Sequence, residues 1–374
     1  MKTVKTGVLC LGLLVAGAVF GAPPPIARGA LIPGASRPAA TAATAKPAAK
    51  PVVKPAAKPA AKPAAAKPAA PAAKKGPPPM TGKPAGAGNG PRAPYRGAIA
   101  IDASNGRILF ADNANTTAYP ASVTKLMTFL LVLEDVEAGR YKLTDSARAS
   151  RYATTMEPSS VGIKPGETMT IDDLLFSIMV KSANDAAVVL AEHAAWARSG
   201  QQGPLPADAK GREWVDAFVA RMNRRAHELG MDATRYASPN GLPPMLNEKR
   251  GFDTSTAADI AKLCRRIVRI PGALKYTSCA TRMITDGSGQ KAGLSTHNYF
   301  LPGSHDKDGC ARPIPGCDGL KTGYTAASGS SIALTAARNG RRAIVVVLGS
   351  AGRHEREAAA GRILRDALDA LTIW

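Results

Sequence analysis

Composition divides the chain before any periodicity can be read. From Ala22 to about Pro94 it is nearly all Ala, Pro, Lys and Gly, with imperfect Lys-Pro-Ala-Ala repeats between Lys46 and Ala73. Such a stretch has too few large apolar side chains to offset the entropy of ordering. Its prolines bias it toward extended conformations. Residues 23–94 therefore read as a disordered Ala/Pro/Lys-rich linker, able to reach on the order of 200 Å. Specific wall binding by its lysines is the alternative. Whatever core this 374-residue chain builds must come from Tyr95 onward.

Ahead of the linker, Met1, Lys2 and Lys5 give a basic start, followed by an apolar run from Gly7 to Phe20 and the small residues Gly21 and Ala22. That order is the pattern of a secretory signal peptide over residues 1–22, the apolar run being short for a membrane span of about 20 residues. Export to the periplasm or cell wall is expected, with membrane contact only if the N-terminal signal is retained as an anchor. Cys10 lies inside the apolar run, too early for a lipid-bearing cysteine.

The formal net charge of +21 suggests nucleic acid until it is located. The first 96 residues hold 15 Lys and Arg and no Asp or Glu, so the remainder carries 34 basic against 28 acidic residues. No nucleic-acid partner is expected for the folded part, whose charge is nearly balanced. The basic tail keeps the ability to associate with anionic polymers or lipid headgroups. With Cys10 set aside, Cys264, Cys279, Cys310 and Cys317 remain, and an even number in an exported chain favours disulfides. Three pairings are open; short loops favour Cys264–Cys279 and Cys310–Cys317. No CxxC or HxxxH spacing supports a metal site.

Beyond Tyr95, Gly97–Asp102 and Arg107–Ala111 are apolar segments joined by Ser104-Asn105-Gly106, a hairpin signal. Ser122–Val136, introduced by Pro120, has the apolar density of a buried helix. Ile171–Val180, Ala186–Ala195 and Trp214–Leu229 read as further helices. Ser331–Ala337 and Arg342–Leu348 read as paired strands, and His354–Leu371 as an amphipathic closing helix. The order implies an α+β domain over residues 95–374, an antiparallel sheet with helices packed on it. The chain stops directly after the closing helix, and no second domain is expected.

Three short motifs carry chemistry. Ser122-Val123-Thr124-Lys125 places a hydroxyl and an amine on one helical face. Serine is a weak nucleophile until a base takes its proton, and a lysine serves if burial and a neighbouring cation lower its pKa. Ser182-Ala183-Asn184 follows between two helices, offering a hydroxyl and an amide; alone it would be a capping turn. Lys321-Thr322-Gly323 precedes the strand pair and supplies a cation, a hydroxyl and a backbone that can be approached closely.

SxxK, SxN and KTG in this order resemble the set shared by class A β-lactamases and penicillin-binding proteins. The wider text, IDASNGRILF, YPASVTKLMT, IKPGETMTIDDLLFSIMVKSANDAAVVLAEH, RMNRRAHELGMDATRYASPNGL, STAADIAKL, THNYFL and DGLKTGYT, is similar to the low-molecular-weight serine D-alanyl-D-alanine carboxypeptidases. This resemblance covers Gly97 to the closing helix and implies a β-lactamase/transpeptidase-like domain without cofactor. It implies peptidoglycan stem peptides as substrates and β-lactam antibiotics as covalent inhibitors. Carried over by motif, the catalytic residues would be the nucleophile Ser122, its base Lys125, and Ser182, passing a proton to the departing D-alanine. Asn184, Lys321, Thr322, Gly323 and Tyr324 would bind substrate, with the backbone N–H groups of Ser122 and Tyr324 as oxyanion hole. Tyr324 stands where relatives often have histidine, and the second β-rich domain and C-terminal anchor helix of many relatives are not expected here. Arg353 and Arg356 fall where relatives place basic residues near the carboxylate end of the site, with solvated surface as the plainer reading. His193, His227 and His297 read as packing or surface residues. A D,D-endopeptidase is the nearest rival; a β-lactamase, with Glu213 or Glu228 activating water, and a non-catalytic wall-binding or penicillin-sensing protein stand behind it.

Overall fold

The computed structural model describes residues 94–206, 208–243 and 251–372, all within the unit Gly82–Trp374. The expected signal and all but the last residue of the expected linker lie outside the described residues. The predicted hairpin forms as β1 (Gly97–Asp102) and β2 (Ile108–Asp112), antiparallel, with Gly106 at φ +85° in the turn. The predicted strand pair forms as β8 (Gly329–Arg338) and β9 (Arg341–Ser350). One strand escaped the sequence reading: β7 (Cys317–Thr325) carries the Lys-Thr-Gly motif within it rather than before the sheet. All pair antiparallel in the order β2-β1-β9-β8-β7, with β7 at one edge and β2 at the other. Two small hairpins were also unread: β3 (Ser146–Arg148) with β4 (Thr168–Thr170), and β5 (Thr281–Thr285) with β6 (Lys291–Ser295).

Strand side chains alternate between two cores, as the twofold pleat requires. Ile99, Ile101, Ile344, Val346 and Leu348 join the larger core, with helices α1 (Lys125–Glu137), α3 (Asn184–Arg198), α4 (Gly211–Glu228) and α5 (Ala257–Ile267). Ala98, Ala100, Ala343, Val345 and Val347 face the opposite side, covered by the closing helix α6 (Arg353–Thr372). Ile363, Leu364, Leu368 and Leu371 seal that face, each fully buried side chain contributing about 1.5–3 kcal/mol. Helices thus pack on both faces of one antiparallel sheet, the α+β arrangement expected. Because both faces of β9 are covered, Ala343–Leu348 is a continuous apolar run.

Helix starts follow local chemistry. The Thr170 hydroxyl accepts the Asp173 N–H at the start of α2 (Ile171–Phe176), and Thr256 does the same for Asp259 at α5. The expectation of disulfides is corrected: all four cysteines are free thiols. Cys264 is fully buried on the core side of α5, while the Cys279 thiol donates back to the carbonyl of Lys275. Cys317 is buried with its thiol donating to the Gly319 carbonyl, and Cys310 lies beside the imidazole of His354. Each sulfur is thus engaged separately from its expected partner.

Candidate active site

The predicted helix at Ser122 begins differently from its periodicity. Ala121–Thr124 forms one 3-10 turn, and α1 proper starts at Lys125. Ala121, just before the serine, has φ +49°, one of four non-glycine residues with positive φ among the described residues. Such backbone persists only where its surroundings over-determine it. Here the constraint comes from Gly241, at φ +84°, where an added Cβ would meet the Ala121 carbonyl oxygen at 2.0 Å. On the other side, a Cβ on Gly323 would lie 2.8 Å from the Pro120 oxygen and 3.0 Å from the Ser122 nitrogen. The two glycines let backbone close on both flanks of the serine turn.

Lys125 is completely buried. Its Nζ hydrogen-bonds to Ser122 Oγ at 3.0 Å, to Asn184 Oδ1 at 2.7 Å and to the Asn240 carbonyl at 2.7 Å. Burial holds its pKa well below the ordinary lysine value, and the neighbouring Lys321 charge lowers it further. Lys321, also buried, donates to the Thr322 carbonyl at 2.9 Å; burial, then Arg356, pushes its pKa down to about 7.

Ser182 and Asn184 arrive by another local device. After α2 the chain widens into a π turn over Ser177–Lys181, so the predicted helix Ile171–Val180 does not run straight to its end. The turn ends on Ser182 in the left-handed region, φ +66°, and α3 starts at Asn184. Such π turns recur at functional sites. Asp185 fixes the facing loop by accepting the N–H groups of Val161, Gly162 and Ile163. The Asn184 N–H donates to the Ser159 carbonyl at 2.6 Å.

Ser122, Ser182, Thr322, Gly323 and Tyr324 line one cleft of ≈ 620 Å³, with Lys125, Asn184 and Lys321 buried behind it. The structure therefore brings together every predicted site residue. It adds others that sequence reasoning missed. Asn240, in Ser238-Pro239-Asn240-Gly241, supplies a carbonyl to Lys125, and buried Asp253 holds that turn through the N–H groups of Ala237 and Ser238. Only a backbone atom of Asn240 touches the amine, so no side-chain signal could have marked it. His297 and Tyr299 also line the cleft. The His297 pKa is lowered by burial and then by Lys321 and Arg356, which favours the neutral imidazole. Arg353 and Arg356 are cleft residues rather than solvated surface: Arg356 is only 5% exposed, paired with Glu357, and Arg353 stacks over the Tyr299 ring while paired with Asp306 and Asp308. Glu213 and Glu228 are both exposed on α4 and neither lines the cleft.

A family model described as D-alanyl-D-alanine carboxypeptidase, peptidase family S11, matches residues 90–203 and 207–352. The chain belongs to this family. The D-alanyl-D-alanine carboxypeptidase DacF of Bacillus subtilis is 30% identical over 269 residues, 72% of this chain and 61% of that protein. The S11 chain thus spans about three-fifths of that relative's length. Among solved structures, a peptidoglycan synthesis regulatory factor (PBP3) of Streptococcus pneumoniae matches with a TM-score of 0.62 at 27% identity, covering 75% of this chain and 72% of that one. Penicillin-Binding Protein D2 of Listeria monocytogenes, solved in its ampicillin-bound form, matches with a TM-score of 0.57 at 28% identity, covering 73% and 97%. The S11 chain accordingly has the transpeptidase/β-lactamase-like fold that its motifs led one to expect. No described helix of this S11 member is long and apolar enough to cross a membrane.

Proposed function

We propose that this chain is a serine D,D-peptidase that hydrolyses the D-Ala-D-Ala bond of peptidoglycan stem peptides, as a carboxypeptidase, through an acyl-enzyme on Ser122. The observation that carries this reading is the buried Lys125 amine, in contact with the Ser122 hydroxyl and two carbonyl oxygens. A neutral amine has two N–H bonds and one lone pair. Asn184 Oδ1 and the Asn240 carbonyl take the two N–H groups, which leaves the lone pair for the Ser122 proton. Ser122 Oγ then attacks the penultimate D-alanine carbonyl, and the oxyanion lies between the backbone N–H groups of Ser122 and Tyr324. Ser182 returns the proton to the leaving amine. Asn184 holds the substrate backbone, while Lys321, Thr322 and Gly323 receive the terminal D-alanine and its carboxylate along β7. Water hydrolyses the ester in the reverse order of proton transfers, and no step calls on a metal or organic cofactor.

β-Lactams would enter the same route and stop at the ester, a reading supported by the ampicillin-bound form of the Listeria relative. The basic, apolar start of the sequence supports a signal over residues 1–22 and action in the periplasm or wall, with residues 23–94 as linker to the catalytic part from residue 95. The test is release of free D-alanine from a linear pentapeptide, measured beside cleavage of a cross-linked dimer. D-Alanine release that disappears in Ser122→Ala is expected. Cleavage of the dimer alone would replace the carboxypeptidase with an endopeptidase.

A further inference from the structure

Away from the cleft, at the sheet edge opposite β7, the β1–β2 hairpin and the end of α5 form a cationic face. Arg107, Arg265, Arg269 and Arg341 converge around the turn Ser104-Asn105-Gly106 and line two adjoining grooves of ≈ 440 Å³ each. Surface arginines usually balance carboxylates, but three of these are held by neutral carbonyl oxygens. Arg265 donates to the carbonyls of Ala103 and Ser104, Arg269 to that of Ser104, and Arg341 to that of Leu371. Those contacts orient the guanidinium groups without cancelling their charge. Of the acids nearby, Asp259 pairs with Lys262, and Glu134 and Glu137 with Arg266. Asp102, in the second groove, accepts from the Ser104 N–H and hydroxyl and its carboxylate faces Arg107 and Arg341, so one acid stands against four arginines and the face keeps a positive surplus.

Beside these cations lies apolar surface. Ile108 protrudes over the first groove, 60% exposed and one of three large hydrophobic side chains exposed among the described residues, with half-buried Leu229 beside it and the buried Ile99 and Ile101 forming the groove floor. Fixed guanidinium groups around protruding aliphatic surface match the boundary between phosphate headgroups and acyl chains, where charge attraction and apolar burial act together. A soluble polyanion would use the cations and leave Ile108 in water. The N-terminal stretch has the same polarity, since the first 96 residues carry 15 Lys and Arg and no acid. Two cationic segments on one chain strengthen each other on an extended anionic surface.

We infer that the face formed by the β1–β2 hairpin and the end of α5 docks on the anionic headgroups of a lipid bilayer. Because β7 forms the other edge of the sheet, a molecule seated this way presents its cleft away from the lipid. Docking and catalysis use separate residues.

The test is partitioning of the full chain onto vesicles of phosphatidylcholine alone or mixed with phosphatidylglycerol, at low and high salt. The comparison is a variant carrying Arg107→Gln, Arg269→Gln, Arg341→Gln and Ile108→Ser. Arg265 stays in place because it holds the hairpin carbonyls. Wild type is expected to bind only the anionic vesicles, and the variant to bind them about tenfold or more weakly. Penicillin acylation should be unchanged, and the melting temperature only slightly lowered by loss of the Arg269–Ser104 and Arg341–Leu371 contacts. Ile108→Ser and Arg107→Gln alone, both at exposed positions, give the same direction if the combined variant folds poorly. Equal vesicle binding by variants and wild type would overturn the inference. So would a variant that loses affinity for soluble polyphosphate and keeps its vesicle binding, an outcome that assigns the face to an acidic polymer.

Discussion

Lys125 and Lys321 are two amines without exposure, and each has a distinct electrostatic duty. Lys125 must be neutral to accept the Ser122 proton, so acylation falls as pH drops through its depressed pKa. The first cause of that depression is burial and the second is the charge on Lys321, which is itself protonated only below about pH 7. Lys321→Ala removes a like charge from beside Lys125 and leaves its burial intact. The pKa of Lys125 then rises, and the acid limb of the acylation profile moves to higher pH. The rate of penicillin acylation against pH, for wild type and variant, checks this; a midpoint that stays put or moves down contradicts it. A lower acylation rate at every pH is expected as well, through the lost carboxylate contact, but the midpoint is what separates the electrostatic duty from simple binding. The motifs made Ser122 and both lysines legible in the sequence. The segments holding Asn240, His297 and Tyr299 were legible as family text, but the roles of these residues were not, because what qualifies them is position across the cleft, far in sequence from the motifs.

At the scale of elements, the site depends on turns that break regular structure. Helix α1 was visible as an apolar run, and β8 and β9 as strands, because their alternation or density reflects burial. The π turn before Ser182 was not visible, since its residues have ordinary helical composition. Nor was β7, whose buried residues include Gly319, Lys321, Thr322 and Gly323, with Leu320 the one aliphatic side chain among them. Gly241 shows how tightly the turns interlock. Gly241→Ala would force a Cβ onto the Ala121 carbonyl in a backbone region unfavourable to alanine, displacing the Ser122 turn. A loss of about 2 kcal/mol or more in stability and a large drop in acylation are expected, read by thermal unfolding and penicillin labelling. A fully active, equally stable variant would contradict the account.

Between α3 and the start of α4 lies a buried carboxyl with no part in the chemistry. Glu192 is fully buried, and its Oε1 accepts the Ser150 hydroxyl at 2.7 Å. Burial raises its pKa to about 7, above its value in the unfolded chain. A raised acid contributes its stability fully at pH below the unfolded value, and that contribution is lost as pH rises through about 7. Glu192→Gln removes the charge, so the variant should gain on wild type by on the order of 2 kcal/mol at pH 8 and lose that advantage by pH 5. Melting temperatures at the two pH values decide it; an advantage independent of pH would contradict the titration.

Across the whole molecule, one sheet with helices on both faces holds the three motifs on separate elements, and two cores make that platform rigid. Composition alone marks the expected boundary of this part, because residues 23–94 lack the aliphatic density to build a core. Among the described residues, the acylation machinery draws on none before Pro120. Deleting residues 23–90 is therefore expected to leave the acylation rate and melting temperature of the chain unchanged within error, while a marked loss of either would tie the linker to the folded part. The central claim concerns a single atom, Ser122 Oγ, and one measurement addresses it most directly. The chain is incubated with a fluorescent penicillin, and the label is located by peptide mass spectrometry, with Ser122→Ala alongside. The account predicts a stable label on the peptide containing Ser122, absent from the variant. A well-folded wild-type chain that takes up no label, or a variant that takes up as much, would contradict it.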